Sequence, residues 1–125
     1  MPHVLGARGE ALAADYFARN GYFVLDRNYR FDRAEVDLIC FQPWPAGDGG
    51  DLVFVEVKTR TGDRFGTGED AITEAKKRHL RRAAEAYLYE RKLEGALARF
   101  DVVCVDLAGD EAAITHHENA FGMMF

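Results

Sequence analysis

Residues 51–60 read Asp51-Leu52-Val53-Phe54-Val55-Glu56-Val57-Lys58-Thr59-Arg60, and this stretch decides the fold. Leu52 to Val55 form an unbroken apolar run, the pattern of a strand buried on both faces, and the run ends in Glu56-Val57-Lys58. Side chains alternate across a strand, so Glu56 and Lys58 share one face and Val57 takes the other. An anion and a cation therefore stand together where a buried strand ends, and that placement asks for a chemical reason.

Working upstream, Gln42 to Gly50 (QPWPAGDGG) is a proline- and glycine-rich loop, and Glu35 to Phe41 (EVDLICF) reads as the strand before it. Symmetric pairing of this hairpin about the point between Ala46 and Gly47 puts Asp37 opposite Glu56. A bulge would shift that register by one or two residues. Directly opposed residues have Cβ atoms ~5 Å apart, a distance at which like charges repel. Two carboxylates so placed need a cation between them. Lys58 supplies part of it, and a divalent metal is the stronger answer because hard cations take carboxylate oxygens at short range. Farther upstream Tyr22 to Leu25 is a short strand, and Asp26 to Arg33 is read as a polar turn region.

Two helices flank these strands. Gly6 to Asn20 is alanine-rich and stops before Gly21, which suits a left-handed residue at the helix end. Its apolar side carries Leu12, Ala13, Ala14, Tyr16 and Phe17, and Glu10 falls among them. A carboxylate there is costly unless paired, hydrogen-bonded or metal-bound, or unless it sits at the stripe's end near water. Thr59 to Asp70 is a glycine-rich loop beside the strand end. The second helix starts near Ala71, with Thr73 as N-cap, and runs to about Lys92. Lys76 lies inside its buried arc with Ile72, Leu80, Ala83, Ala84, Tyr87 and Leu88. It reaches either the carboxylates or, by snorkelling, the water. Arg99 to Leu107 is a fourth strand, parallel to the third after a crossover, Ala112 to His116 a short edge strand, and Glu118 to Phe121 a terminal turn.

With 125 residues the chain is expected to make one domain spanning 1–125. No apolar run approaches the ~20 residues of a membrane span, and the start lacks a secretory pattern, so the expected setting is cytoplasmic. Cys40 and Cys104 sit in apolar runs and are expected as buried thiols. A net charge of −5 argues against nucleic acid as a partner. Its distribution argues the other way, because seven basic residues against two acidic ones fall between Ala75 and Lys92.

An [Asp/Glu]-x-Lys triplet is common by chance; its context carries the argument. The residues point to a metal-dependent phosphodiesterase centre in which Asp37, Glu56 and the Val57 carbonyl hold Mg²⁺, with Lys58 orienting water or offsetting phosphate charge. His116-His117-Glu118 is a poor metal site, because neighbouring histidines on a strand face opposite ways. Arg60 and Arg64 suit phosphate contacts; Arg78, Arg81 and Arg82 form either a solvated face or a DNA surface. Tyr29 and Trp44 are candidates for stacking on a base.

GARGEALAADYFARNGY, AEVDLI, LVFVEVKTR, the RFG at 64–66, the Ile-Thr before Lys76, and RFDVV together resemble the YraN family of small bacterial proteins. That family is similar to archaeal Holliday junction resolvases of the PD-(D/E)XK nuclease superfamily. The resemblance implies a restriction-endonuclease-like αβββαβ core, with a mixed sheet flanked by helices. It implies a metal, Mg²⁺ with Mn²⁺ as substitute, on Asp37, Glu56 and Glu10, with Lys58 and Lys76 catalytic. It also implies cleavage of branched or structured DNA and a homodimer; Arg30, Arg60, Arg64 and Lys77 are the expected contacts to that DNA. Ala34 and Glu74 depart from the family's usual glycine and proline, and neither is a proposed ligand. The alternatives are a DNA-binding or scaffold protein that keeps the nuclease fold, and a purely structural ion cluster.

Overall fold

A computed structural model of the protein describes residues 4–61 and 72–122. Helix α1 (Val4–Arg19) precedes three strands, β1 (Phe23–Phe31), β2 (Ala34–Pro43) and β3 (Gly50–Arg60). Helix α2 (Glu74–Glu90) then leads to β4 (Leu97–Asp106) and β5 (Ala113–Phe121). Among the described residues the strands form one five-stranded sheet in chain order. β3 and β4 run parallel, and every other neighbouring pair is antiparallel. This is an α/β mixed sheet flanked by two helices, consistent with a restriction-endonuclease-like core to which β5 adds an edge.

Alternation along the central strands explains why the sheet needs a helix on each face. Leu38 and Cys40, Val53, Val55 and Val57, and Val103 and Val105 turn toward Ala13, Ala14 and Phe17 of α1. Ile39, Leu52, Phe54 and Phe100 turn toward Leu80, Ala83, Ala84, Tyr87 and Leu88 of α2. The unbroken apolar run of β3 thus feeds two cores at once. The hairpin between β2 and β3 has the expected register, from Pro43↔Gly50 through Leu38↔Val55.

The helix boundaries follow local chemistry. The backbone turns left-handed at Gly21, with φ +88°, just beyond α1. The Thr73 side chain caps α2 by accepting from the Lys76 N–H at 3.1 Å. Residues 72 and 73 are not helical, so α2 begins at its cap rather than near Ala71. No helix of the described residues is long and apolar enough to cross a membrane.

The two edges differ from the expected pattern. Asp26 to Phe31 continue β1 as strand; the turn is confined to Asp32 and Arg33. An edge strand hydrogen-bonds through its backbone while much of its side-chain surface faces water, so polar residues are tolerated there and the apolar signal is lost. β1 bulges at Leu25, and Asn28 takes a left-handed φ of 52°. At the other edge, Glu118 to Phe121 belong to β5 rather than to a turn. The β4–β5 ladder shifts register beside Asp101, whose carboxylate accepts the Asn119 N–H at 2.9 Å. Cys40 and Cys104 are both buried within the sheet, and burial pushes the Cys40 thiol up to about 12.

Candidate active site

The β2–β3 ladder stops at Leu38↔Val55, and the next residues on each strand are Asp37 and Glu56. Beyond that point β3 continues against β4 as far as Arg60. The Val57 N–H donates to Asp37 Oδ2 at 2.8 Å. The carboxylate thus takes the place of a ladder carbonyl exactly where the strands part, which anchors Asp37 and satisfies a backbone donor.

Glu56 is the centre of the arrangement and is only 5% exposed. Its Oε2 accepts from Lys76 Nζ at 2.7 Å and lies 3.5 Å from Lys58 Nζ. Its Oε1 is buried and has no hydrogen-bond partner among the described residues. Burial, followed by repulsion from Glu56, pushes the Asp37 carboxyl up from 3.8 to about 7. The Val57 N–H partly opposes that rise. For Lys76 burial disfavours the charge, but the Glu56 contact and then Asp37 and Glu35 outweigh it, and its pKa is raised. Lys76 is therefore a firmly protonated ammonium ion tied to one oxygen of Glu56.

Glu10 lines a cleft of about 410 Å³ together with Asn28, Arg30, Glu35 and Asp37. Its placement depends on Gly9, where a Cβ would collide with the Thr59 side chain of β3. Only a glycine lets α1 come this close to the strand end. One amide organises the cleft: Asn28 Nδ2 donates to Glu10 Oε1 at 3.1 Å and to Glu35 Oε2 at 2.8 Å. Sequence reasoning passed over Asn28, whose side chain is set by a left-handed backbone inside a strand. That conformation suits asparagine better than most residues.

The donor set can be tested for a divalent cation. Two opposed carboxylates, one of them raised in pKa by burial and then by the other, and an orphaned buried oxygen on Glu56 fit a hard cation. The set is incomplete, because no group of three or more His, Cys, Asp or Glu side chains among the described residues is disposed to hold a metal. Glu10 and Glu35 are the further carboxylates lining the cleft beside Asp37, and Glu10 Oε1 is engaged by Asn28.

The expected DNA contacts divide. Arg30 lines the Glu10 cleft and stands 3.5 Å from Glu35. Arg60 closes β3 opposite Asp106 of β4. Lys77 bridges to Glu74 at 3.3 Å and lies over the Phe121 ring. Arg64 lies outside the described residues. Trp44 reaches Asp51 at the hairpin, and Tyr29 donates to Glu90.

A second buried polar network went unread in the sequence. Asp101, fully buried, receives Arg99 through Nε at 3.0 Å and through the second guanidinium nitrogen at 3.1 Å. His116 Nε2 reaches Asp101 at 2.7 Å, and the Tyr16 hydroxyl meets His116 Nδ1 at 2.9 Å. Burial raises the Asp101 pKa, but the bonds to His116, Arg99 and Asn119 outweigh it and hold the carboxyl below its ordinary value. The ionised Asp101 assigns the Nε2–H tautomer to His116, which leaves Nδ1 to accept from Tyr16. The signal was available: Asp101 interrupts the apolar run RFDVVCV, the same kind of misplacement that singled out Glu10.

Comparison with known sequences supplies the relationship. A model of the uncharacterised protein family UPF0102 matches residues 9–105. A UPF0102 protein of Geobacter metallireducens is 39% identical over 121 residues, covering 97% of this chain and 94% of that protein. One from Chlorobaculum parvum is 45% identical over 119 residues, covering 94% and 87%. One from Symbiobacterium thermophilum is 46% identical over 110 residues, covering 88% of each chain. The matched span runs from Gly9 to Val105 in β4 and contains every carboxylate and lysine of the site. The chain belongs to the UPF0102 family, the YraN family that its motifs resemble.

Proposed function

We propose that the protein is a divalent-metal-dependent endonuclease that hydrolyses phosphodiester bonds in structured or branched DNA, in a cytoplasmic setting. The observation that carries this reading is the opposition of Asp37 and Glu56 where the β2–β3 hairpin opens, with Lys58 and Lys76 on one Glu56 oxygen and no partner for the other among the described residues. Asp37, Glu56 and the Val57 carbonyl would hold Mg²⁺ or Mn²⁺, with Glu10 joining once released from Asn28. When bound, the metal polarises the phosphoryl oxygen and lowers the pKa of the attacking water.

The chain's own residues do the rest. Lys76 fixes Glu56 Oε2 and leaves Oε1 open. Lys58, half-buried beside it, orients the attacking water or offsets negative charge building on the phosphate. Arg30, Arg60, Arg64 and Lys77 contact the DNA backbone. One site cuts one strand, so symmetric resolution of a junction would use a homodimer.

The test is nicking of junction, flap and single-stranded substrates with Mg²⁺ or Mn²⁺. Asp37→Ala and Glu56→Ala are each expected to abolish activity while leaving the cooperative unfolding transition in place; unchanged nicking in both would overturn the reading. The Asn28 hold on Glu10 favours a second reading, a DNA-binding or scaffold protein that keeps the nuclease fold. Tight binding to the same panel with no cleavage by either metal would establish it.

A further inference from the structure

On the other side of the carboxylate site from the Glu10 cleft lies a second cleft of about 360 Å³, between the β1–β2 turn and the first turns of α2. Arg33, Lys76 and His79 line it, and Glu35 forms the partition it shares with the Glu10 cleft. Lys76 is common to this cleft and the carboxylate site, since its Nζ ends on Glu56. The partition's two oxygens are engaged from the Glu10 side, Oε2 accepting from Asn28 at 2.8 Å and Oε1 facing Arg30 at 3.5 Å, while its charge still acts on Lys76. Arg33 and His79 are exposed, and neither makes an ion pair or hydrogen bond with another described residue. Two clefts thus meet at Glu35, one holding Glu10 and Asp37 beside Arg30, the other holding Arg33, Lys76 and His79.

We infer that the Arg33–His79 cleft binds a backbone phosphate of the DNA strand next to the one being cut. The inference rests on the nuclease reading for the identity of the strand, and on the cleft's own chemistry for the phosphate. The cleft's volume is near the lower end of ligand-sized sites, enough for one phosphate with part of its sugar. A guanidinium fork and an imidazole lining one cleft, neither with a partner among the described residues, suit a tetrahedral anion. A phosphate seated there leaves Lys76 between it and the carboxylates. The strand would thereby lie with its neighbouring phosphate on the α2 side and its scissile phosphate over Asp37 and Glu56. Arg33 and His79 then act as substrate-positioning residues.

The test has two arms. In the first, metal-free protein is titrated with inorganic phosphate while the His79 ring resonances are followed by NMR. Saturable shifts are expected in the wild type and in Asp37→Asn, and weakening of roughly 5-fold or more in Arg33→Ala. An unmoved His79, or equal affinity in Arg33→Ala, overturns the inference. In the second arm, binding of a labelled DNA strand is measured against salt. Arg33→Ala is expected to lower the slope of log K against log[salt] by about 1, whereas Arg19→Ala, at the far end of α1, leaves it unchanged. If cleavage is observed, Arg33→Ala/His79→Ala is expected to raise KM with kcat nearly retained. A double variant with unchanged KM and salt slope, alongside an inactive Asp37→Ala, overturns the phosphate site and leaves the nuclease reading standing. Saturable phosphate binding in a protein that cuts nothing supports the site and removes the nuclease reading.

Discussion

Asp37 is held in a place where its charge is unwelcome. It is hydrogen-bonded to the Val57 N–H, crowded by Glu56 and removed from water, and its carboxyl titrates near 7 rather than 3.8. A carboxyl whose pKa is raised by folding keeps its proton in the native state at pH values where the unfolded chain has lost it. The native state is then favoured at low pH, and stability falls as pH rises from about 4 to about 7 and levels off above. Asp37→Asn keeps an acceptor for Val57 and cannot ionise. In metal-free urea unfolding it is expected to match the wild type below about pH 4 and to be the more stable protein above about pH 7, by on the order of 1–3 kcal/mol. Equal stabilities across the whole range would show that the carboxyl is not strained. Added Mg²⁺ should erase the variant's advantage by binding the wild type alone.

At the scale of elements, the decisive contact is α1 against the end of β3. Gly9 packs on Thr59, and the approach carries Glu10 into the cleft that holds Asp37. Gly9→Ala should push the helix outward against the gain in helix propensity. The expected net cost is about 1–3 kcal/mol in denaturant unfolding, with a larger fractional loss of metal-dependent nicking than Ala18→Ser, an exposed change at the other end of the same helix. A stabilised Gly9→Ala would mean that the helix sits farther from β3. The strands show the same economy twice: Asp37 accepts the Val57 N–H and Asp101 the Asn119 N–H, each at a break in a ladder. A short carboxylate supplies the acceptor that the departing strand has withdrawn.

At the scale of the whole molecule, β3 has a polar network at each end. At its start, Arg99 joins Asp51, Gln42, Tyr22 and Asp101, and His116 extends the chain of bonds to Tyr16 on α1. Four strands and a helix are therefore linked through a half-buried guanidinium paired with a fully buried carboxylate. Asp101→Ala leaves Arg99 without its two-pronged partner and should cost about 3–5 kcal/mol, measured by urea unfolding at neutral pH. Because the Asp101 pKa is lowered by folding, its stabilisation is present above the ordinary carboxylate range and is lost as pH falls through the native value. The gap between variant and wild type should therefore narrow in acid. A gap that is the same at every pH would assign the cost to packing alone.

The sequence by itself determined the element order of the core, the β2–β3 register and the placing of Asp37 against Glu56. These follow from local rules: a two-residue alternation, a loop with one centre of symmetry, and a helix wheel on which Lys76 and Glu10 stand out. It did not determine the extent of β1 and β5, because edge strands are held by backbone bonds that leave no apolar signature in their side chains. Tertiary structure alone decided what the misplaced charges meet. Lys76 ends on Glu56, Asn28 holds Glu10 and Glu35 together, and Asp101 gathers Arg99 and His116 from two strands. A burial pattern tells which polar residue must find a partner; the identity of that partner depends on distances across the sheet, which exist only once the chain has folded.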